Sequence, residues 1–138
     1  MLTDVEIISR LVIAVIAGLM VGFSRHKKAA GPRTFALFCL GCTIFTIISV
    51  SDMFGPPADK TRIIAQVVSG IGFLGLGVIW KQNHDHPTGL TTAAMIWVTA
   101  AIGILIGLGF WTEFAVGTAL MLMVVYSKGL LQRLGLED

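Results

Sequence analysis

Three polar residues enter one of the long apolar stretches at helical spacing. Arg62, Gln66 and Ser69 are four and then three positions apart, which places them in one stripe on a helix. Polar groups that face lipid are costly, so this stripe is expected to face protein or water. Asp52 lies ten residues before Arg62. The two residues either form an ion pair or are solvated separately at the membrane interface.

The same stretch carries Gly70, Gly72, Gly75 and Gly77 within eight residues. Residues 70 to 75 match a G-x-G-x-x-G pattern, but a dinucleotide site requires a preceding strand in a βαβ unit, which an apolar span does not provide. The glycines predict either a weakened or broken helix, as at transporter substrate sites, or a close crossing of two helices.

A basic segment with Arg25 and Arg33 separates the first two apolar stretches. Such a cluster is typical of an anchor on anionic lipid. Alternatively, the two arginines fold inward and form an anion site or a helix-end site.

The segment Gly89-Leu-Thr91-Thr92 opens the fourth apolar stretch. The threonine hydroxyls can cap helix amides, or the hydroxyls and free amides together can bind an anion. Trp97, in the same stretch, is expected to pack in the core or to anchor at the interface.

Residues for catalysis or metal binding are not grouped in this sequence. The adjacent residues 84–86 (His-Asp-His) lack the spaced third and fourth donors of a zinc site. Cys39 and Cys42 lie in an apolar run and behave as small buried residues. The sequence contains no nucleophile–base pair, phosphate loop or catalytic carboxylate pair, so we expect no enzyme activity, no cofactor and no metal site.

The composition indicates that lipid surrounds most of the chain. Of 138 residues, 55% are hydrophobic and 13% are charged, and the mean hydropathy is +0.86. A soluble domain carries roughly 25% charged residues. The net charge of +2 is too small to indicate nucleic-acid binding. We therefore expect a single membrane domain over residues 1–138.

Five uncharged stretches approach the roughly 20 residues that a membrane span needs. They are Leu11–Ser24, Thr34–Ser51, Ile63–Trp80, Pro87–Thr112 and Phe114–Ser127. Five spans put seven Lys and Arg residues on one side and three on the other. The positive-inside rule then predicts an all-α integral membrane protein of about five transmembrane helices, with the N-terminus outside and the C-terminus cytoplasmic. Arg10 either snorkels to the interface or lies inside the membrane.

Two G-x-x-x-G motifs predict close helix packing. They are Gly18–Gly22 in the first span and Gly103–Gly107 in the fourth. In lipid, small residues of this kind let two backbones approach closely. The partner helix belongs either to a second copy of the chain or to the same chain.

Four motifs together resemble the MgtC/SapB family of bacterial membrane proteins. They are Ala30-Gly-Pro-Arg-Thr34, residues 62–79, residues 89–97 and Ala101-Ile-Gly103. The resemblance covers about residues 15–109. Two positions depart from the family pattern: Ser24 stands where the family has a glutamate, and Pro32 replaces a leucine. The chain also resembles a short form without the family's C-terminal ACT-like domain.

The resemblance implies a multi-pass inner-membrane protein, a homodimer, and other inner-membrane proteins as partners. Family members are associated with adaptation to low magnesium and, in pathogens, with survival inside host cells. The residues that match family motifs are Arg25, Arg33, Thr34, Arg62, Gln66, Ser69, Gly70, Gly72, Gly75, Gly89, Thr91, Thr92 and Trp97.

These observations predict a non-enzymatic regulator of stress adaptation that acts through membrane partners. Its working centre is expected where the glycine-rich third span, flanked by Arg62, faces the Thr91–Thr92 turn. The alternative is a small homodimeric ion or anion transporter or channel, with Arg33, Arg62 and Gln66 lining the path.

Overall fold

A computed structural model describes residues 2–25, 30–51, 55, 59–80 and 89–127. These residues form five helices and no strand, which confirms the all-α prediction. The helices are α1 (Asp4–Phe23), α2 (Pro32–Val50), α3 (Arg62–Trp80), α4 (Leu90–Leu108) and α5 (Trp111–Tyr126).

Four of the five helices are long and apolar enough to cross a membrane. α1 to α4 have 19 or 20 residues each, and a helix of that length spans about 30 Å, the thickness of the hydrocarbon core. α5 has 16 residues and reaches only about 24 Å. The described part of the chain therefore contains four candidate spans and a shorter fifth apolar helix.

The turn between α4 and α5 lies within residues 108–113, where a glycine and two aromatic residues in the sequence predict a tight hairpin. Gly109 adopts φ +79, a left-handed conformation that glycine accepts without strain. The amides of Gly109 and Phe110 donate to the carbonyls of Ile106 and Leu105 at 3.0 and 2.9 Å. The uncharged stretch Pro87–Thr112 therefore contains both α4 and the turn, because this glycine cap ends the helix and α5 begins at Trp111.

Helices α2 and α4 form the centre of the bundle, and α1, α3 and α5 lie around them. Both G-x-x-x-G motifs lie at these internal contacts. A Cβ atom added to Gly18 would lie 2.5 Å from the Cα of Ala36, and one on Gly103 would lie 2.6 Å from the carbonyl oxygen of Cys39. Gly22 and Gly107 make similar approaches to α2. The structure thus places both motifs between helices of one chain.

The charged side chains divide between the two ends of the bundle. Consecutive helices run in opposite directions, so the starts of α1, α3 and α5 share one end, here called the Arg62 end, and the starts of α2 and α4 share the other, here called the Arg25 end. The described carboxylates all lie at or near the Arg62 end; they are Asp4, Glu6, Asp59 and Glu113. Arg25 and Arg33 lie at the Arg25 end.

Candidate functional site

Helix α3 turns a broad side away from the rest of the chain. Only 11% of the residues in its span are buried, against 50% in α4. Arg62, Gln66 and Ser69 are exposed on this side, and the ring of Phe73 is 78% exposed. We call this surface the α3 face; its members are Arg62, Ala65, Gln66, Ser69, Gly70, Gly72, Phe73, Leu76 and Gly77. The predicted polar stripe therefore exists, but no other part of the described chain covers it.

The glycines of α3 neither break the helix nor bring it close to another one along most of its length. α3 is continuous from Arg62 to Trp80, so the broken-helix alternative is wrong. A Cβ atom added to Gly70, Gly72 or Gly77 would meet nothing within 4 Å. Gly75 is turned inward, where a Cβ atom would lie at an ordinary 3.7 Å from that of Ala93.

The predicted working centre divides into two separate places. α3 and α4 are antiparallel, and the 19 residues of α3 span about 27 Å. Arg62 therefore lies at one end of the bundle, and Thr91 and Thr92 lie at the other. Only the last turns of α3 reach the start of α4.

The α3–α4 junction depends on a glycine. Gly89 has φ +92, and a Cβ atom there would lie 3.2 Å from the carbonyl oxygen of Val78. Gly89 precedes α4 without a side-chain cap. Thr92 is buried and Thr91 is exposed.

The two arginines of the basic segment have different surroundings. Arg25 is half-buried, and its Nε donates to the Sδ of Met95 at 3.1 Å. Arg33 is exposed in the first turn of α2, and the amide of the next residue, Thr34, donates to the carbonyl of Gly31 at 3.0 Å. Arg25 alone of this pair therefore folds against the bundle.

Some of the predicted positions are isolated or lie outside the described residues. Asp52 and the His-Asp-His segment at 84–86 are among the residues that the structure does not describe, so the Asp52–Arg62 pair stays a prediction. Trp97 is 56% exposed on the outer side of α4. No group of three metal-ligating side chains occurs among the described residues.

The sequence leaves open whether Arg10 snorkels to the interface or lies inside the membrane, and the structure buries it among the described residues. Arg10 is 9% exposed, and its Nη1 donates to the carbonyl of Gly107 at 2.5 Å. Its guanidinium carbon lies 6.0 Å from the ring centroid of Trp111, and its Nε has no hydrogen-bond partner. Arg10 therefore lies inside the bundle beside the α4–α5 turn. Its signal in the sequence is one arginine within an apolar run.

Three buried threonine hydroxyls of α2 and α4 donate to backbone carbonyls, whereas the buried Oγ1 of Thr118 in α5 has no hydrogen-bond partner. Thr43 donates to Cys39 and Gly103, Thr46 to Cys42, and Thr99 to Met95. Ser and Thr commonly make such bonds within membrane helices. Of these bonds, the one from Thr43 to Gly103 joins α2 to α4, and those of Thr46 and Thr99 stay within their own helices.

Comparison with known proteins identifies several similar sequences. The sequence model of the MgtC family matches residues 11–134. SapB of Bacillus subtilis (strain 168) is 33% identical over 96% of this chain. YhiD of Escherichia coli (strain K12), whose name suggests magnesium transport, is 42% identical over 87% of the chain. MgtC of Brucella abortus (strain 2308) is 39% identical over 80%.

These relatives are longer than the present chain. The aligned region covers 61% of SapB, 59% of YhiD and 46% of MgtC. The chain thus spans about half to three fifths of their length. No solved structure matches the chain.

Proposed function

The chain belongs to the MgtC family, and we propose that it is a non-enzymatic regulator of adaptation to low magnesium in the bacterial inner membrane. The name of its relative YhiD, which refers to magnesium, supports this link. In this proposal the chain acts by binding membrane proteins and not by moving ions.

The exposed α3 face carries this proposal. Gln66 and Ser69 lie one and two turns inside α3, on its exposed side. Groups that hydrogen-bond at this depth are costly against hydrocarbon and are found facing other protein. Small residues beside them let a second helix approach closely. A surface of this kind is suited to binding another membrane helix.

The α3 face is suited to binding the same face of a second copy of the chain. Gln66 offers both a donor and an acceptor, so two copies related by a two-fold axis can pair their amides. Ala65, Ser69 and Gly72 leave room for the partner backbone, and Phe73 adds apolar area. The charged end of Arg62 lies at the edge of the face, where it can reach the headgroups.

The geometry favours regulation over the transport alternative. Arg33 lies in the first turn of α2 and Arg62 begins α3. Because these two helices run in opposite directions, the two arginines lie at opposite membrane surfaces. Within the described residues, α3 is unbroken, and the hydroxyls of Thr43, Thr46 and Thr99 are bound to backbone carbonyls. A polar path for ions between the two arginines is therefore not formed by these residues.

Disulfide cross-linking in native membranes tests the α3 face. In a chain with Cys39→Ala and Cys42→Ala, we expect Ser69→Cys to give a covalent dimer under mild oxidation. The matched control is Val116→Cys on α5, which is also exposed but lies outside the face. Equal cross-linking of both variants, or none at Ser69→Cys, would contradict the proposed contact.

Growth and flux measurements test the regulatory role. In a strain lacking the gene, the wild-type chain should restore growth at limiting magnesium, and Gln66→Leu should not. Reconstituted wild-type protein should carry no flux of magnesium, potassium, protons or phosphate in proteoliposomes. A protein-dependent flux that is lost in Arg62→Ala would replace regulation by transport as the function.

A further inference from the structure

The groove between α4 and α5 is polar at one end and apolar along the rest of its length. Its volume is about 530 Å³, and Arg25, Thr91 and Ser127 line it at the Arg25 end. Toward the middle of the bundle its walls are apolar and include Val98 and Leu120. From Ser127 to Gly117 the groove follows ten residues of α5, or about 15 Å. This length is about half of the 30 Å hydrocarbon core, which is one leaflet.

Arg25 gives the polar end of the groove a charge that the described residues do not neutralise. Its Nε donates to the thioether of Met95, which is a weak and uncharged acceptor. The described carboxylates all lie near the opposite end of the bundle. Asp85, Glu137 and Asp138 lie outside the described residues. Arg25 is therefore a half-buried cation inside the groove without a described acidic partner.

The start of α4 adds to this positive potential. The residue before α4 is Gly89, and no side chain caps the first amides of this helix. The N-terminus of a helix carries a partial positive charge, and its amides bind anions. The exposed Thr91 adds a hydroxyl beside these amides.

We propose that this groove binds one anionic phospholipid. The phosphate is held by Arg25 and the start of α4, and an acyl chain lies between α4 and α5. Basic pockets between membrane helices bind anionic headgroups on the cytoplasmic side, which is the side that the positive-inside rule predicts for the Arg25 end. Apolar walls one leaflet long fit an acyl chain, whereas a free anion would leave them uncovered.

A second groove along α5 provides an internal comparison. It lies between α1 and α5, has a volume of about 310 Å³, and is lined by residues such as Ile16, Ala115 and Leu122 without a charged side chain. An acyl chain can lie in either groove. Only the α4–α5 groove is expected to distinguish an anionic headgroup from a zwitterionic one.

Native mass spectrometry of the detergent-purified full chain measures this preference. The probes are phosphatidylglycerol and phosphatidylcholine with identical acyl chains. We expect the wild type to prefer phosphatidylglycerol. Arg25→Gln should lower the affinity of the protein for phosphatidylglycerol about fivefold, which is the effect of losing one cation near an anionic lipid. Arg25→Lys should keep the preference. Arg33→Gln removes an equal charge at the same end, outside the groove, and should also keep it.

Filling the groove tests the acyl-chain part of the proposal. A Cβ atom on Gly117 would meet nothing within 4 Å, so we expect the side chain of Gly117→Leu to enter the groove and to leave the thermal unfolding of the protein unchanged. We expect it to lower phosphatidylglycerol binding severalfold. Ala115→Leu fills the α1–α5 groove instead and should retain the headgroup preference.

Two outcomes would overturn the proposal. One is an unchanged preference for phosphatidylglycerol in Arg25→Gln. The other is displacement of the lipid by millimolar inorganic phosphate together with normal binding in Gly117→Leu, which would indicate a site for a free anion. None of these variants lies on the α3 face, so the lipid site and the proposed function can fail independently.

Discussion

The guanidinium of Arg10 occupies a position where a cation loses most of its hydration. Burial of such a group is costly unless its hydrogen bonds are satisfied. Arg10 donates to the carbonyl of Gly107, which lies in the last turn of α4, where the helix dipole is negative. The ring of Trp111 at 6.0 Å adds a weaker cation–π attraction. Arg10 therefore joins α1 to the α4–α5 turn.

Replacement of Arg10 is expected to destabilise the bundle. Arg10→Leu removes the donor to the Gly107 carbonyl, and an unsatisfied buried acceptor costs about 1–3 kcal/mol. Thermal unfolding in detergent micelles measures the change. Arg33→Leu serves as the control because Arg33 is exposed, and it should change stability by less than about 0.5 kcal/mol. An Arg10→Leu protein as stable as the wild type would show that this hydrogen bond contributes nothing net.

At the scale of the helices, hydropathy located all five elements because a span must be apolar over its whole length. The glycine at 109 and its neighbouring aromatic residues also indicated the α4–α5 turn. The broken-helix alternative for α3 is wrong for a physical reason. Each glycine weakens a helix by about 1 kcal/mol, but unpaired backbone groups in lipid cost several kcal/mol each, so the helix persists.

The candidate site was harder to predict than the helices. Arg62 and Thr91 both belong to motifs that match the family. Antiparallel helices of equal length nevertheless put the starts of α3 and α4 at opposite ends of the bundle. The role of Arg10 has no sequence pattern, because its partner is a backbone carbonyl, a group that every residue carries. The surroundings of Arg25 depend likewise on Met95, which is 70 residues away in the chain.

The contact between α2 and α4 is expected to tolerate no added methyl group at Gly103. A Cβ atom there would lie 2.6 Å from the backbone oxygen of Cys39 and 2.9 Å from the Cβ of Cys42. Gly103→Ala must separate the two helices, and we expect a loss of about 1–3 kcal/mol in the free energy of unfolding. Denaturation of the purified protein in mixed micelles measures this loss.

Gly41→Ala is the matched control for that variant. Gly41 lies within α2, and a Cβ atom there meets nothing within 4 Å. Since alanine is the better helix former, Gly41→Ala should be neutral or stabilise by up to about 1 kcal/mol. If the two variants unfolded alike, the close approach at Gly103 would not limit stability.

At the scale of the whole molecule, α5 is the least firmly held helix. Met121 is its one buried residue among those that the structure describes, and a groove lies on each side of it. Its 16 residues are also fewer than a typical span requires. Whether α5 crosses the membrane decides on which side the chain beyond Ser127 lies, and hence which compartment any following segment can reach.

Thiol labelling from one side of the membrane tests the five-span orientation. In a chain with Cys39→Ala and Cys42→Ala, single cysteines replace Thr91 in the first turn of α4, Thr112 in the first turn of α5, and Ser127, which follows α5. In intact spheroplasts, we expect a membrane-impermeant reagent to label Thr112→Cys and to label the other two only after permeabilisation. This pattern follows from the seven-to-three distribution of basic residues that five spans produce. Labelling of both Thr112→Cys and Ser127→Cys from outside would mean that α5 lies along the membrane surface, and that the bundle crosses the membrane four times.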